Sequence, residues 1–337
     1  MKLLLTILTL IISTYTYAET NLNEGLIADY TFDGNAMDKS GNNNHGKCSG
    51  DSCPKYTVGK YFKGAYFDGY DKVSTEIDRS TINDITMCAW YKYQGELNSN
   101  YIPLFGNSNG SFFVGKQSGN ADISVQDGNG IPHFITDTDA WDGNWHHMCY
   151  MRRESISTIG SLFLDGERIA EASFTGTSGE LFIGFENDSP QFYFKGIIDG
   201  VRIYNRGLSE MEVSTLYNNI APTAPIIKNR AVYNNTITLD ASQSTDEDGI
   251  IQSYEWYLRC RGNSNYDITA NGITPMIKNF FPGFYDVTLI IMDNNGATSN
   301  SDFIVFSGIG TLGDVNYDGK IGLEETIYSL QSISNVK

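Results

Sequence analysis

The sequence predicts an all-β protein made of two sandwiches, and three observations carry that prediction. Short segments alternate apolar and polar residues and are cut by Gly, Asn and Asp clusters along most of the chain. Aromatic residues make up 13%, with 21 Tyr and 18 Phe, and these side chains suit pleated, half-buried surfaces. Only 19% of residues are charged while Gly numbers 34, the usage of an exported β-protein with many tight turns.

At the N-terminus, Lys2 precedes the apolar run Leu3 to Ile12, and a polar stretch ends Thr16-Tyr17-Ala18. Residues 1–18 therefore read as a secretory signal peptide, with the mature chain expected to start at Glu19. The run is too short to span a bilayer, which takes roughly 20 residues, and no later segment is long and apolar enough. No membrane span is expected. The first cysteine is Cys48, so no lipid-attachment cysteine follows the signal.

Residues 19–218 form the first β-unit. The segments "LIADYTF", "AYFDG", "TMCAWYKY", "GSFFVGK", "ADISV", "HHMCYM", "LFLDG", "ELFIGF" and "FYFKGIIDGVRIY" have the spacing of an antiparallel sandwich or jelly roll. A short helix closes the unit: Ser209 is its N-cap with Glu212 three residues on, and Met211, Val213 and Leu216 supply apolar contacts. "NIAPTAPIIKN" then reads as a linker. Residues 219–307 hold the second β-unit, where "TITLDAS", "IIQSYEWYL" and "YDVTLIIMD" fit a small immunoglobulin-like sandwich. The flexible "SGIGTLG" leads into the last segment, 308–337.

The formal net charge of −17 repels phosphate backbones and anionic lipid, which excludes nucleic acid as a partner class. It suits the capture of hard cations. The stretch "GDVNYDGKIGLEE" has the ligand spacing of a calcium loop: Asp314, Asn316 and Asp318 at the first three ligand positions and Gly319 at the turn. Lys320 offers its backbone carbonyl, Gly322 leaves room for a bridging water, and Glu325 closes the sphere. Leu323, Ile327 and Leu330 mark an exit helix. Ca²⁺ is the expected cofactor, with a second candidate site at Asp33 and Asp38 in "DGNAMDKSGNNN". Asp246 and Asp248 read as a turn in preference to a cation site, and Asp199 as a buried carboxylate tied to backbone amides.

Five cysteines leave an odd one. Cys48 and Cys53 flank a turn-like "SGDS" and are expected to close a short disulfide. Cys88 and Cys149 lie on apolar strands, either as a buried pair or as two small core hydrophobes, and the second reading is favoured. His146 and His147 are adjacent, so on a strand they point to opposite faces and cannot share a metal. His45 and His133 lie near turns with no partner in view and read as structural.

Three motifs in order carry a resemblance across the first unit. "GLIADYTFDGNAMDKSGNNNHG", "GNWHHMCYMR" with "SLFLDGERIA", and "FKGIIDGVRIYNRGLSEMEVSTLY" resemble the opening turn, central hairpin and closing strand-helix of laminin-G-like, concanavalin A-like jelly rolls. "LDASQSTDEDGIIQSYEW" and "PGFYDVTLIIMDNNGATS" are similar to PKD domains, immunoglobulin-like spacers, with "WYLRCRG" in place of the usual "WDFGDG". The tail resembles one half of a dockerin, which implies a cohesin-like partner.

Polysaccharide hydrolases of this shape use paired carboxylates on one strand. "DTDAWDG" lacks a suitably spaced Glu, and "ENDSP" has Pro where the strand would continue, so no enzyme is expected. Sugar binding needs exposed aromatics, for which Trp141, Tyr101, Tyr70 and Phe134 are candidates. The combined expectation is a secreted, non-catalytic adhesion or recognition protein that binds carbohydrate or a cell-surface protein through the jelly roll. The alternatives are an accessory component of a polysaccharide-degrading assembly docking through its tail, or a glycoside hydrolase.

Overall fold

A computed structural model describes residues 21–307 apart from 97–100, 108–111, 118–122, 128–132, 136–138, 154–158, 174–178, 187–192, 228–229, 233–235 and 282. The signal segment and the calcium-loop tail, with Asp314, Asn316, Asp318, Lys320, Gly322 and Glu325, lie outside the described residues.

The first sandwich runs through β1 (Leu26–Tyr30), β2 (Lys55–Val58), β3 (Lys63–Asp68), β4 (Val73–Asp78), β5 (Asp84–Tyr93), β6 (Tyr101–Asn107) and β7 (Phe112–Gln117). It continues with β8 (Ile123–Asp127), β9 (His133–Ile135), β10 (Trp145–Arg153), β11 (Ile159–Leu164), β12 (Glu167–Ser173), β13 (Glu180–Ile183), β14 (Lys195–Tyr204) and α1 (Glu210–Asn218). One sheet has the order β12-β11-β10-β5-β14-β3-β2, with β1 also paired to β14; the other has the order β4-β13-β6-β7-β8-β9. Between them lie Tyr30, Phe67, Met87, Tyr91, Leu104, Phe112, Tyr150 and Ile198, all fully buried.

The apolar run "ITMCAWYKY" is explained by its position. β5 is central, and both faces are covered, so it cannot alternate as a half-exposed strand does. Met87, Ala89 and Tyr91 face the main core, while Cys88 belongs to an outer cluster with Cys149, Phe163, Leu208, Val213 and Leu216 beneath α1. The Ser209 hydroxyl accepts from the Glu212 amide and Glu212 reaches back to the Ser209 amide, the reciprocal cap expected of that spacing. Val213 and Leu216 are buried as expected, but Met211 is 55% exposed: it lies on the solvent face of the helix.

The cysteines are bridged twice. Cys48 pairs with Cys53, as the spacing suggests. Cys88 and Cys149 are also joined, contrary to the core-hydrophobe reading; they are direct cross-strand neighbours of β5 and β10 on the covered face. Sequence order hides that register. Cys260 is free and buried.

The second sandwich comprises β15 (Arg230–Val232), β16 (Thr236–Thr238), β17 (Ile251–Cys260), β18 (Ile268–Asn271), β19 (Met276–Lys278), β20 (Gly283–Asp293) and β21 (Thr298–Ser307). A five-stranded sheet, β15-β21-β20-β17-β18, faces the pair β16-β19 across Trp256, Leu258, Tyr285, Val287, Leu289 and Val305.

The second unit packs against the first, which differs from the expected spacer. Lys39 Nζ donates to Glu255 Oε1 and Oε2 at 2.7 and 2.8 Å. Asn219 Nδ2 donates to both Asp293 oxygens, and the Ile220 amide to Asp248 Oδ2. Gly296 lies against Arg202: with φ of +91° and only 3.0 Å from a built Cβ to Arg202 Nε, this position requires glycine. Among the described residues, no helix is long and apolar enough to cross a membrane.

Candidate functional site

The second sheet of the first sandwich carries a row of direct cross-strand neighbours: Ser74, Phe182, Gly106, Phe113 and Gln126. Neighbours directly opposite share a face. Flanking residues Val73, Leu181, Ile183, Phe112, Val114 and Val125 belong to the core, so this row lies on the outer face.

After β13 the chain folds over that face. Gly106 permits the crossing, because a Cβ there would lie 2.4 Å from the Phe185 carbonyl and 2.9 Å from Glu186 Cα. The crossing stacks a line of rings: Phe182 to Phe185 at 5.1 Å, Phe185 to Tyr193 at 5.1 Å, and Tyr193 to Tyr70 at 6.4 Å between centroids. The buried end is packing, whereas Tyr70 is 68% exposed. Lys72 Nζ sits 4.2 Å above the Phe185 ring, a cation–π contact that holds its ammonium at the edge of the line.

Glu186 is the unusual group. It is 6% exposed, and its Oε2 is shielded from solvent with no hydrogen-bond partner. Burial alone pushes the carboxyl up to about 7. In the unfolded chain this group titrates near 4.5. Between those values the native state keeps a proton that the unfolded chain has released. The contribution of Glu186 to stability is therefore greatest below about 4.5 and falls by up to about 1.4 kcal/mol per pH unit until it levels above about 7. Urea unfolding near pH 5 and near pH 8 measures this component, which Glu186→Gln is expected to remove.

The other sequence candidates have different surroundings. Trp141 is 3% exposed and packs on Tyr91 and Tyr93 in the main core, where no sugar reaches it. Tyr101 begins β6 opposite Gln117, and Phe134 lies in β9; their side chains lie outside the described set. Asp38 spends its oxygens on the amides of Asp29, Ser40 and Asn44, so it organises the opening turn. Asp33 accepts from the Lys63 amide and is pushed up to about 6 by burial. The two carboxylates hold different amides, and Asp33 Oδ2 is shielded without a hydrogen-bond partner.

Asp199 accepts from the Lys60, Tyr61 and Gly200 amides, as a buried, amide-tied carboxylate does; burial, reinforced by Asp33, pushes it up to about 8 against those bonds. His146 bridges Asp165 and Asp142, and its bond to Asp165 holds its pKa up despite burial. His147 points the other way, against Trp90 and Tyr217, where burial lowers it to about 3. His45 Nδ1 accepts from the Asp38 amide, a structural role.

Among the described residues, two groupings bring metal-type ligand atoms together. Those of Cys88, His147 and Cys149 lie within 4.8 Å of one another, all buried. The disulfide occupies both sulfurs, so this set lacks the thiolates a metal needs. Both Asp246 oxygens are shielded without a well-formed hydrogen bond, and burial, then the Asp248 carboxylate, raises its pKa. An orphaned carboxylate beside a second one is oxygen chemistry of the kind a hard cation takes.

Lys72, Tyr193 and Glu186 do not stand out in the sequence. A signal is present in "LFIGFE", where a glycine and a phenylalanine follow a strand and place a glutamate over the sheet. Only the pairing of Phe182 with Gly106 shows which face that is.

Residues 67–214 match the concanavalin A-like lectin/glucanases superfamily in its laminin-G form, and residues 227–306 match a PKD domain family. The first unit is thus a laminin-G-like jelly roll and the second a PKD-like sandwich. The chain is 36% identical over 93 residues to the dyslexia-associated protein KIAA0319 homolog of Rattus norvegicus, covering 27% of this chain and 8% of that protein. Among solved structures, it is similar to domain 4 of AbnA, a GH43 extracellular arabinanase from Geobacillus stearothermophilus, in complex with arabinotriose. That match has 20% identity and a TM-score of 0.47, over 57% of this chain and 98% of that one. The binding domain of Paraclostridial Mosquitocidal Protein 1 is also similar, with 16% identity and a TM-score of 0.48, over 80% and 77% of the two chains. Overlaps of this quality carry no functional weight.

Proposed function

We propose that this is an exported, non-catalytic recognition protein that binds carbohydrate on the outer face of its jelly roll, with Ca²⁺ ordering its C-terminal loop. The observation that carries the reading is the exposed Tyr70 ring, set against Tyr193 at the open end of a line of rings that Lys72 covers at Phe185. A ring face open to solvent suits the apolar face of a pyranose, and a few polar groups beside it fix orientation. The lectin-type fold supports the same reading.

A glycan array run with and without calcium tests it. Tyr70→Ala is expected to weaken binding of the best ligand about 3- to 12-fold, the range of one aromatic contact. Trp141→Ala would report only on folding. Release of reducing sugar from a polysaccharide would replace this reading with the hydrolase one.

The calcium part rests on the spacing of Asp314, Asn316, Asp318, Lys320, Gly322 and Glu325. Calorimetry on the mature protein is expected to show calcium binding that Asp314→Ala reduces by at least about tenfold, because it removes one of the few charged ligands. A cohesin-like partner for the tail would register as calcium-dependent capture that the same substitution abolishes.

A further inference from the structure

We propose that the C-terminal segment folds back on its own PKD-like sandwich, seating the stripe Leu323, Ile327 and Leu330 on an exposed shelf made by Tyr266 and Phe281. This rests on the calcium-loop reading of the tail given above and names the surface that the tail meets.

The shelf is built and open. Tyr266 and Phe281 stack with centroids 3.8 Å apart and planes 7° apart, yet they are 38% and 40% exposed. The loops that carry them are pinned. The Tyr266 amide donates to the Asn263 carbonyl, the Cys260 amide to Asp267 Oδ1, and the Tyr285 hydroxyl to the Phe281 carbonyl. Phe280 turns into the core against Tyr285 and anchors the loop beside Phe281. Two rings fixed face to face at the surface offer a flat apolar contact.

Topology brings the tail to this spot. Gly283 opens β20 directly across from Ser307, the last residue of β21, and Phe281 stands two positions before Gly283. The described chain thus ends beside the loop that carries the shelf. β21 has ten residues, so this end lies about 30 Å from the end where Gly296 meets the first unit. Exposed Ile220 and Ile250 belong to that opposite end. Residues 308–322 reach up to about 50 Å, so the tether spans the gap with slack and keeps the stripe at high local concentration.

The tail has the matching need. Leu323, Ile327 and Leu330 have the spacing of one helical face. A helix of about a dozen residues is marginal alone in water and takes its stability from packing such a face. Strand β21 and the short joint "SGIGTLG" precede the loop, which leaves no room for an entering helix to cover the stripe. Glu325 is both the closing ligand and part of the first helical turn. Bound Ca²⁺ therefore fixes the start of the helix and relieves repulsion among Asp314, Asp318 and Glu325.

The test is hydrogen exchange read by mass spectrometry on the mature chain, with Ca²⁺ and with EDTA, beside calorimetry of Ca²⁺ binding. Exchange over residues 323–332 is expected to slow about ten- to a hundredfold with Ca²⁺, the range of two aromatic contacts, and the loops holding Tyr266 and Phe281 should slow with it. Phe281→Ser should abolish protection of the tail. The double variant Leu323→Ser with Ile327→Ser, which leaves the sandwich untouched, should abolish protection of the shelf. A tail left unprotected in both conditions, or protected equally in Phe281→Ser, would overturn the inference. Protection that grows with protein concentration would assign the shelf to a second copy and overturn it as well. Shelf-dependent protection without any calcium heat would support the docking and remove only the calcium reading.

Discussion

Arg202→Met should lower the unfolding free energy by about 3–5 kcal/mol, the cost of leaving a buried charge without its partner. Arg202 on β14 lies directly across from Asp29 on β1, and its Nε and Nη2 donate to Asp29 Oδ2 at 3.2 and 3.0 Å. Both side chains are almost fully buried. Burial pushes the Asp29 carboxyl up while Arg202 pulls it down, so the pair depends on its own geometry. Gly296 of the second sandwich closes over the guanidinium. Denaturant unfolding of the single variant measures the loss. The double variant Asp29→Leu with Arg202→Met is expected to recover most of it, because removing both charges leaves neither orphaned. A double variant as unstable as the single one would show that shape, and not charge, governs the position.

Trp256→Ala is expected to destabilise the second sandwich by about 3–5 kcal/mol. Trp256 is fully buried, meets Phe303 edge-on at 6.3 Å, and donates from Nε1 to the Gly272 carbonyl at 2.8 Å. Truncation opens a cavity in a core only two sheets deep and orphans that carbonyl. Trp256→Phe keeps most of the volume and should cost less, so comparing the two separates cavity from hydrogen bond. Unfolding followed by far-ultraviolet circular dichroism reads both variants.

The β-architecture was legible because turn residues and alternation are local. The helix cap at Ser209 and Glu212 and the Cys48–Cys53 bridge were legible for the same reason: each is set by residues a few positions apart. What stayed hidden depends on register. Cys88 and Cys149 are 61 residues apart and meet only because β5 and β10 align them. Trp141 reads as a loop aromatic, yet its loop folds under Tyr91 and Tyr93 into the core. The apolar run of β5 gives no sign that α1 covers its second face. At the candidate site, Tyr70 was visible as a turn aromatic beside glycine. Glu186 was not, because its burial comes from a chain crossing that Gly106 permits on a different strand. The close docking of the two sandwiches was likewise invisible: Lys39 and Glu255 are 216 residues apart.

Whether Tyr70 and its neighbours receive a sugar decides the functional reading. Titration of the best array ligand into wild-type protein and into Tyr70→Ala, with Trp141→Phe as a core control, addresses it directly. Recognition through the exposed ring predicts a measurable heat for wild type, an affinity reduced several-fold in Tyr70→Ala, and little change in the control. Identical affinities for wild type and Tyr70→Ala would contradict it.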